Sequence, residues 1–500
     1  MKRWLYLFAL VAGLTCFSKP QAQGQRMVQP KIVQSADGVF SKERPSQVFV
    51  GASLLKAAPQ ISDAIKPLLT SLHSDTTLEM PTPLPKTPYL LIGLATENSA
   101  LKRLKSSWKA KLPASGLGKE GYLIEIAPQH IHLTADNPEG IYCGLLYLLQ
   151  AMELTGLEFP CGNIADWATL QWRGIHILFN GRQEVPQIER LLTEFMPRLR
   201  LNQLIIEVNY FFDYKSHPEV AAQNPLTLAD CQHLSEVAKK NFIRIVPMIN
   251  CMGHQSWAKT TFTLLTKHPE FDETPDAPKD NTGLYCRSWC PSHPDIGKFV
   301  SDLCDELIDA FHADAFHGGM DEVFLIGKCP RCIGKNPADL FAKAVNDLHK
   351  HLVGKRKVQM YMWGDRLLDG VGMKLGEWEA SANGTAPAID KIAKDIVLCD
   401  WHYELPDDFP SIAHLQQHGF QVIPSGWNRT DSVQRFLGVG LKHQGAKLPG
   451  YLATTWASAG GVVDELLGVK IARDTANKGR VKTDLTAALW LGAKMAWEGK

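Results

Sequence analysis

The stretch Ala315-Phe-His-Gly-Gly-Met-Asp-Glu-Val323 decides the fold. Its first residues form a short apolar strand that ends at a glycine pair. The apolar spacing on either side predicts amphipathic helices, over Asp295–His312 and Ala338–Leu352. Outward from this unit the alternation continues. Apolar runs recur at Gly174–Phe179, Gln203–Val208, Ile243–Ile249, Ala315–His317, Val358–Trp363, Ile396–Trp401, Gln421–Pro424 and Tyr451–Trp456. Helical spacing separates most of them, as in Gln187–Leu201, Leu228–Lys240 and Asp431–Leu441. Eight strands with intervening helices predict an α/β chain folded as a (β/α)8 TIM-type barrel. Its longest gaps follow the third and fourth strands, at the end of a barrel where sites are built.

Upstream the pattern differs. Tyr89–Leu94 reads as a buried strand, and Gly121–Ile126 and His130–Thr134 read as a hairpin about Pro128-Gln129, followed by helical spacing from Pro138. This predicts a small α+β domain over residues 24–165, before a barrel over 166–500 that closes with a helix at Thr483–Trp497. Residues 1–23 carry a basic start, an apolar run and a polar exit, the pattern of an export signal. Cys16 is a second candidate there, for lipidation, although Gly13-Leu14-Thr15 fits a lipobox poorly. No later window holds eighteen consecutive apolar residues, so the rest is expected to be soluble, without a transmembrane segment, and periplasmic or secreted.

The 500 residues are 45% hydrophobic and 21% charged, which excludes a disordered or fibrous chain. Lys+Arg is 53 against Asp+Glu 52, so no charge excess points to nucleic acid or an anionic membrane.

The chemistry concentrates after the fourth strand. Neighbouring residues of a regular strand face opposite ways. Asp321 and Glu322 therefore reach one pocket only if the strand has ended or bulged, and Gly318-Gly319 loosens the backbone there. Two carboxylates in one mouth can divide their work, one as proton donor and one kept ionised. Of thirteen tryptophans, Trp363, Trp401 and Trp456 end the fifth, sixth and eighth strands, and Trp427 follows the seventh. Together they suggest an aromatic box for a ligand. Trp257 and Trp289 lie in loops beside it, whereas Trp108, Trp167, Trp172, Trp378, Trp490 and Trp497 read as structural. Asp365, Tyr403 and Glu404 follow the same strand ends, and His254 closes the third. Cys286-x3-Cys290 and Cys329-x2-Cys332 are paired by spacing. They allow a four-thiolate zinc site or disulfides, and an exported chain favours disulfides. No HxH or HExxH spacing falls near a barrel strand end, so metal-dependent hydrolysis finds no support and no cofactor is expected.

His317-Gly-Gly-Met-Asp-Glu322 resembles the H-x-G-[GA]-D-E motif of glycoside hydrolase family 20, the β-N-acetylhexosaminidases, with Met320 where the family has Gly or Ala. Trp172-Arg-Gly174 resembles that family's first barrel strand, and Pro247–His254 its third. The resemblance implies exo-acting hydrolysis of terminal β-linked N-acetylglucosamine or N-acetylgalactosamine, with a glycan as partner. In that chemistry the substrate's 2-acetamido oxygen attacks the anomeric carbon. Glu322 then matches the general acid/base and Asp321 the residue that orients the acetamido N–H. The family's tyrosine after the seventh strand is missing from Ser425-Gly-Trp-Asn-Arg429, which leaves Tyr403, or else Tyr361, for its role. Arg182 stands one residue later than the family's sugar-binding arginine, and His317 falls in the motif as a further substrate-side candidate. An endo-acting relative of the same chemistry and an inactive carbohydrate-binding barrel are the alternatives.

Overall fold

The computed structural model describes residues 28–40, 47–74, 76–77, 80–155, 158–406, 408–443, 445, 447–468 and 484–500. The expected export signal and Cys16 lie outside the described residues. The chain divides into two compact units.

The first unit runs to Thr169 and includes Arg198–Arg200 and Trp497–Gly499. Its strands are β1 (Ile32–Phe40), β2 (Gln47–Val50), β3 (Thr76–Thr77), β4 (Tyr89–Leu94), β5 (Tyr122–Ala127), β6 (His130–Ala135) and β7 (Phe159–Asp166). They form one mixed sheet in the order β1-β7-β5-β6-β4-β2-β3. The expected hairpin is present: β5 and β6 are antiparallel, and Ala127 faces His130 across the two-residue turn. Helices Ala52–Ala57, Ile61–Leu72, Ser99–Trp108 and Pro138–Thr155 complete this α+β unit.

The second unit is the barrel. Its strands are β8 (Trp172–Leu178), β9 (Gln203–Glu207), β10 (Arg244–Cys251), β13 (Ala315–Gly319), β14 (Gln359–Trp363), β15 (Val397–Trp401), β16 (Gln421–Gly426) and β17 (Gly450–Ser458), after a minor hairpin of β11 (Ser256–Trp257) and β12 (Thr260–Thr261). The eight close into a barrel, and every adjacent pair is parallel. A parallel barrel buries both faces of its strands, so they read as unbroken apolar runs rather than as alternating ones. The helices obey the opposite rule. In Ile296–Phe311 the buried residues Ile296, Phe299, Val300, Leu303, Leu307 and Ile308 recur at helical spacing and form one stripe. Leu228–Lys240 starts at a capping box, in which Thr227 and Asp230 satisfy each other's free backbone N–H groups.

The barrel interior is filled by Ile205, Val246, Met248, Ala315, Tyr361, Trp363, Val397, Cys399, Trp401, Ile423 and Leu452, with Trp172, Tyr403 and Trp456 packed against them. Tyr361 bonds through its hydroxyl to Gln203 and Arg244, which open their strands. It therefore points to the end of the barrel opposite the carboxylates, and of the two candidate tyrosines only Tyr403 is left near the mouth. No helix among the described residues is long and apolar enough to cross a membrane.

Candidate active site

Strand β13 ends at Gly319, and the backbone then turns through left-handed conformations at Gly319 (φ 66), Met320 (φ 73) and Glu322 (φ 47). A Cβ on Gly319 would lie 2.3 Å from Asn250 Oδ1, so both the angle and the close approach require glycine. This break in the strand brings the two neighbouring carboxylates to one side. His254 Nε2 lies 3.3 Å from Asp321 Oδ2 and 3.1 Å from Glu322 Oε2. Gly253 permits this, since a Cβ there would meet the Asp321 carbonyl oxygen at 2.5 Å. His254 is itself left-handed, at φ 52.

The electrostatics follow from burial and this pairing. Burial disfavours the His254 cation, but the Asp321 charge and the hydrogen bonds it donates to both carboxylates outweigh this, holding the imidazole well above its ordinary pKa. Burial would raise Asp321, yet the His254 cation holds it below the usual carboxylate value. Asp321 Oδ1 is buried and has no hydrogen-bond partner among the described residues.

The backbone N–H of Glu322 donates to Asp365 Oδ2 at 2.9 Å, and Arg366 Nε donates to the same oxygen at 2.6 Å. Arg366 also donates to the carbonyls of Glu377, Trp378 and Ala380. Asp365 is thus a buried anchor for Glu322 through Oδ2, while its Oδ1 is buried without a hydrogen-bond partner among the described residues. Burial first, and then the Asp321 charge, push it up to about 6 against the pull of Arg366.

Aromatic rings gather at the ends of β14 to β17. Trp363 is fully buried and lies 5.7 Å from Trp456, centroid to centroid. Trp401 stacks on Tyr403 at 5.0 Å, and Trp427 lies 5.4 Å from Tyr403. The Tyr403 hydroxyl accepts from Trp456 Nε1 at 2.9 Å and lies 3.1 Å from Thr454 Oγ1. The four tryptophans expected to group do so, although Trp363 and Trp401 also belong to the barrel core.

Several expectations are corrected. Arg182 is half exposed and holds Asp230 by both carboxylate oxygens, which ties it to the start of helix Leu228–Lys240. Glu404 is exposed and paired with Arg429. His317 is fully buried, accepts from the Gly319 N–H and packs against Trp363 at 4.6 Å. Burial and then His176 push it down to about 3, so it is neutral and lies beneath the rings. Trp289 is buried, whereas Trp378, read as structural, is exposed beside Tyr285 and Phe324. None of Cys286, Cys290, Cys329 and Cys332 forms a disulfide. Cys286 stands apart from the other three, with its Sγ 3.5 Å from the Glu322 carbonyl.

Four residues were not anticipated. Tyr285 packs on His254 and Trp257, and burial together with the Glu322 carboxylate raises its pKa. Glu379 accepts from the Tyr403 N–H at 3.0 Å and from His402 at 2.8 Å, which fixes where Tyr403 stands. His176 pairs with Glu207 at 3.1 Å and lies 4.9 Å from Trp456. Glu207 alone had a signal in the sequence, as a carboxylate closing an apolar strand. Tyr285 and Glu379 sit in long loops with no periodicity to mark them.

The sequence model of Glycosyl hydrolase family 20, catalytic domain, matches residues 211–436, and that of the same family's domain 2 matches residues 29–167. A Beta-hexosaminidase of Akkermansia muciniphila is 24% identical over 244 residues, covering 43% of this chain and 48% of the relative. One of Porphyromonas gingivalis is 22% identical over 303 residues, covering 54% of this chain and 37% of the relative. The chain spans less than half the length of these curated relatives. The solved structure of a beta-N-acetylhexosaminidase from Bacteroides fragilis shares the fold with a TM-score of 0.65 at 17% identity, covering 94% of this chain and 90% of that one.

Proposed function

Since this chain belongs to glycosyl hydrolase family 20, we propose that it is an exo-acting, retaining β-N-acetylhexosaminidase. It releases terminal β-linked N-acetylglucosamine or N-acetylgalactosamine from glycans outside the cytoplasm, with the substrate's acetamido group as nucleophile. One observation carries this reading: the broken end of β13 brings Asp321 and Glu322 to the same histidine, at 3.3 and 3.1 Å, leaving Asp321 Oδ1 buried and unpartnered. An oxygen in that state is suited to a ligand N–H.

In the first step Glu322 gives its proton to the glycosidic oxygen, and the bond from that oxygen to C1 breaks. The acetamido oxygen bonds to C1, which closes an oxazolinium ring. Asp321, kept ionised by His254, accepts the acetamido N–H and offsets the positive charge that develops there. The Tyr403 hydroxyl, positioned by Trp456 and Glu379, faces the acetamido oxygen. In the second step Glu322 takes a proton from water, whose oxygen bonds to C1 and opens the ring with retained configuration. The rings of Trp401, Trp427 and Trp456 would cover the sugar and the acetamido methyl.

The test is a comparison of 4-nitrophenyl β-glycosides of N-acetylglucosamine, N-acetylgalactosamine and glucose. Turnover is expected only where the 2-acetamido group exists. Equal turnover of the glucoside would overturn substrate assistance, and tight binding of the sugar without turnover would favour the binding barrel.

A further inference from the structure

The loops after β10 and β13 hold a cluster that the proposed reaction does not use. Cys290 Sγ lies 3.3 Å from Cys329 Sγ and 3.4 Å from Cys332 Sγ. A carboxylate oxygen of Glu273 joins them, and the four ligand atoms lie within 4.8 Å of one another. All four residues are buried, with Glu273, Cys290 and Cys332 at 0% exposure. We propose that Glu273, Cys290, Cys329 and Cys332 form a tetrahedral zinc site that clamps the two loops beside Asp321 and Glu322.

Three features support this assignment. The sulfur separations exceed the roughly 2.05 Å of a disulfide by more than an ångström and approach the edge of about 3.8 Å in a tetrahedron with Zn–S bonds of about 2.3 Å. The charge of Glu273 is unaccounted for otherwise. One carboxylate oxygen accepts from the Lys328 N–H at 2.8 Å, while the other is buried without a hydrogen-bond partner and meets no cationic side chain among the described residues. A buried carboxylate in that state is costly, and a divalent cation removes the cost. The backbone also presents the thiols in the manner of a metal knuckle. Cys329-Pro-Arg-Cys332 forms a tight turn in which Cys329 O accepts from the N–H groups of both Cys332 and Ile333 at 2.9 Å, and left-handed Gly327 (φ 74) and Gly334 (φ 79) flank it. Facing it, Glu273 N donates to Ser288 O at 3.0 Å, which brings Glu273 alongside Cys290. Thiolate-rich tetrahedral sets favour zinc, and a set with no open position is structural rather than catalytic.

The site takes two cysteines from one loop and one from the other, and its fourth ligand is a glutamate, not the fourth cysteine that spacing suggests. The full chain, purified anaerobically without chelator, is expected to carry one zinc per molecule by mass spectrometry. Exchange of zinc for cobalt is expected to give thiolate-to-cobalt charge-transfer absorption and the visible bands of a tetrahedral ion. Glu273→Gln should release zinc to a chelator at least about tenfold faster, and Cys286→Ser should retain it like the wild type. Cys332→Ser should lose its zinc, and should it fail to fold, zinc content and the cobalt spectrum of the wild type still decide. Metal-free protein with all thiols titratable overturns the proposal. So does a disulfide within the Cys290, Cys329 and Cys332 set by peptide mapping, or the loss of zinc in Cys286→Ser.

Discussion

The barrel mouth has two unlike halves. After β10 and β13 it is built from loops, and the backbone that carries its polar groups is strained: Met252, His254, Met320 and Glu322 all have positive φ. Each such residue costs on the order of 1 kcal/mol. Anchors hold it, among them Asp365 on the Glu322 N–H and the close approach allowed by Gly253. After β14 to β17 the mouth is built from rings that continue the barrel core: Trp363 and Trp401 pack with Met248, Val397 and Leu452. One half obtains its geometry mainly from distortion and the other mainly from packing, with Trp456 (φ 48) the one left-handed ring residue among Trp363, Trp401, Trp427 and Trp456. Substitutions in the two halves should therefore fail differently, the first in rate and the second in stability.

The largest separation is expected at Glu322 and Trp363. Glu322→Gln should lower kcat/KM on the N-acetylglucosaminide by about 10²–10⁴, the usual worth of a general acid/base. Its urea midpoint should move by no more than about 1 kcal/mol equivalent, since the amide keeps the shape of the side chain. Trp363→Ala should do the reverse, costing about 3–5 kcal/mol of stability through the cavity it leaves. A Trp363→Ala protein as stable as the wild type would break the division, as would Glu322→Gln retaining activity within about tenfold.

The same division explains what could be read from the sequence. The strands of the barrel and the ring-bearing ends of β14 to β17 carry period and composition, so the fold and the positions of Trp363, Trp401, Trp427 and Trp456 were legible. Asp321 and Glu322 stood out in the sequence because two adjacent carboxylates follow the fourth barrel strand and a glycine pair. The partners were not. Nothing local shows that Arg182 is claimed by Asp230, that Asp365 is claimed by Glu322 and Arg366, or that Glu379 holds Tyr403. These are contacts between loops distant in sequence, decided by tertiary packing. The cysteines illustrate the same limit. Spacing paired Cys286 with Cys290, whereas the chain turns Cys286 towards Glu322 and sets Glu273 beside the other three.

A smaller effect, with a definite pH signature, is expected at His254. Its folded pKa lies above the ordinary value near 6.5, so its stabilising charge is fully present below that pH and is lost as pH rises through the folded value. Asp321 is depressed, so its contribution is present above its ordinary value near 3.9 and is lost as pH falls through the folded one. The pair stabilises the loop half throughout the window between about pH 4 and 6.5 and less at higher pH. His254→Gln should cost on the order of 3 kcal/mol in that window, with the deficit shrinking as pH rises further. Urea midpoints of both proteins across this range measure it. A deficit that does not change with pH would mean that His254 acts through packing, and the loop half would then resemble the ring half.

The smallest effect is expected at Arg182, which tests where the loop half ends. Its guanidinium is half exposed and already committed to both oxygens of Asp230. An exposed ion pair of this kind contributes about 0–1 kcal/mol. The pair occupies Nε and Nη2 and fixes the guanidinium at the helix start, so only its remaining donors could meet a sugar hydroxyl without breaking it. Arg182→Ala should therefore leave KM within about twofold and stability within about 1 kcal/mol. A rise in KM of about tenfold or more with kcat unchanged would instead show an interaction made equally in ground and transition states. Arg182 would then leave Asp230 for the substrate, and the helix-capping corner would belong to the mouth.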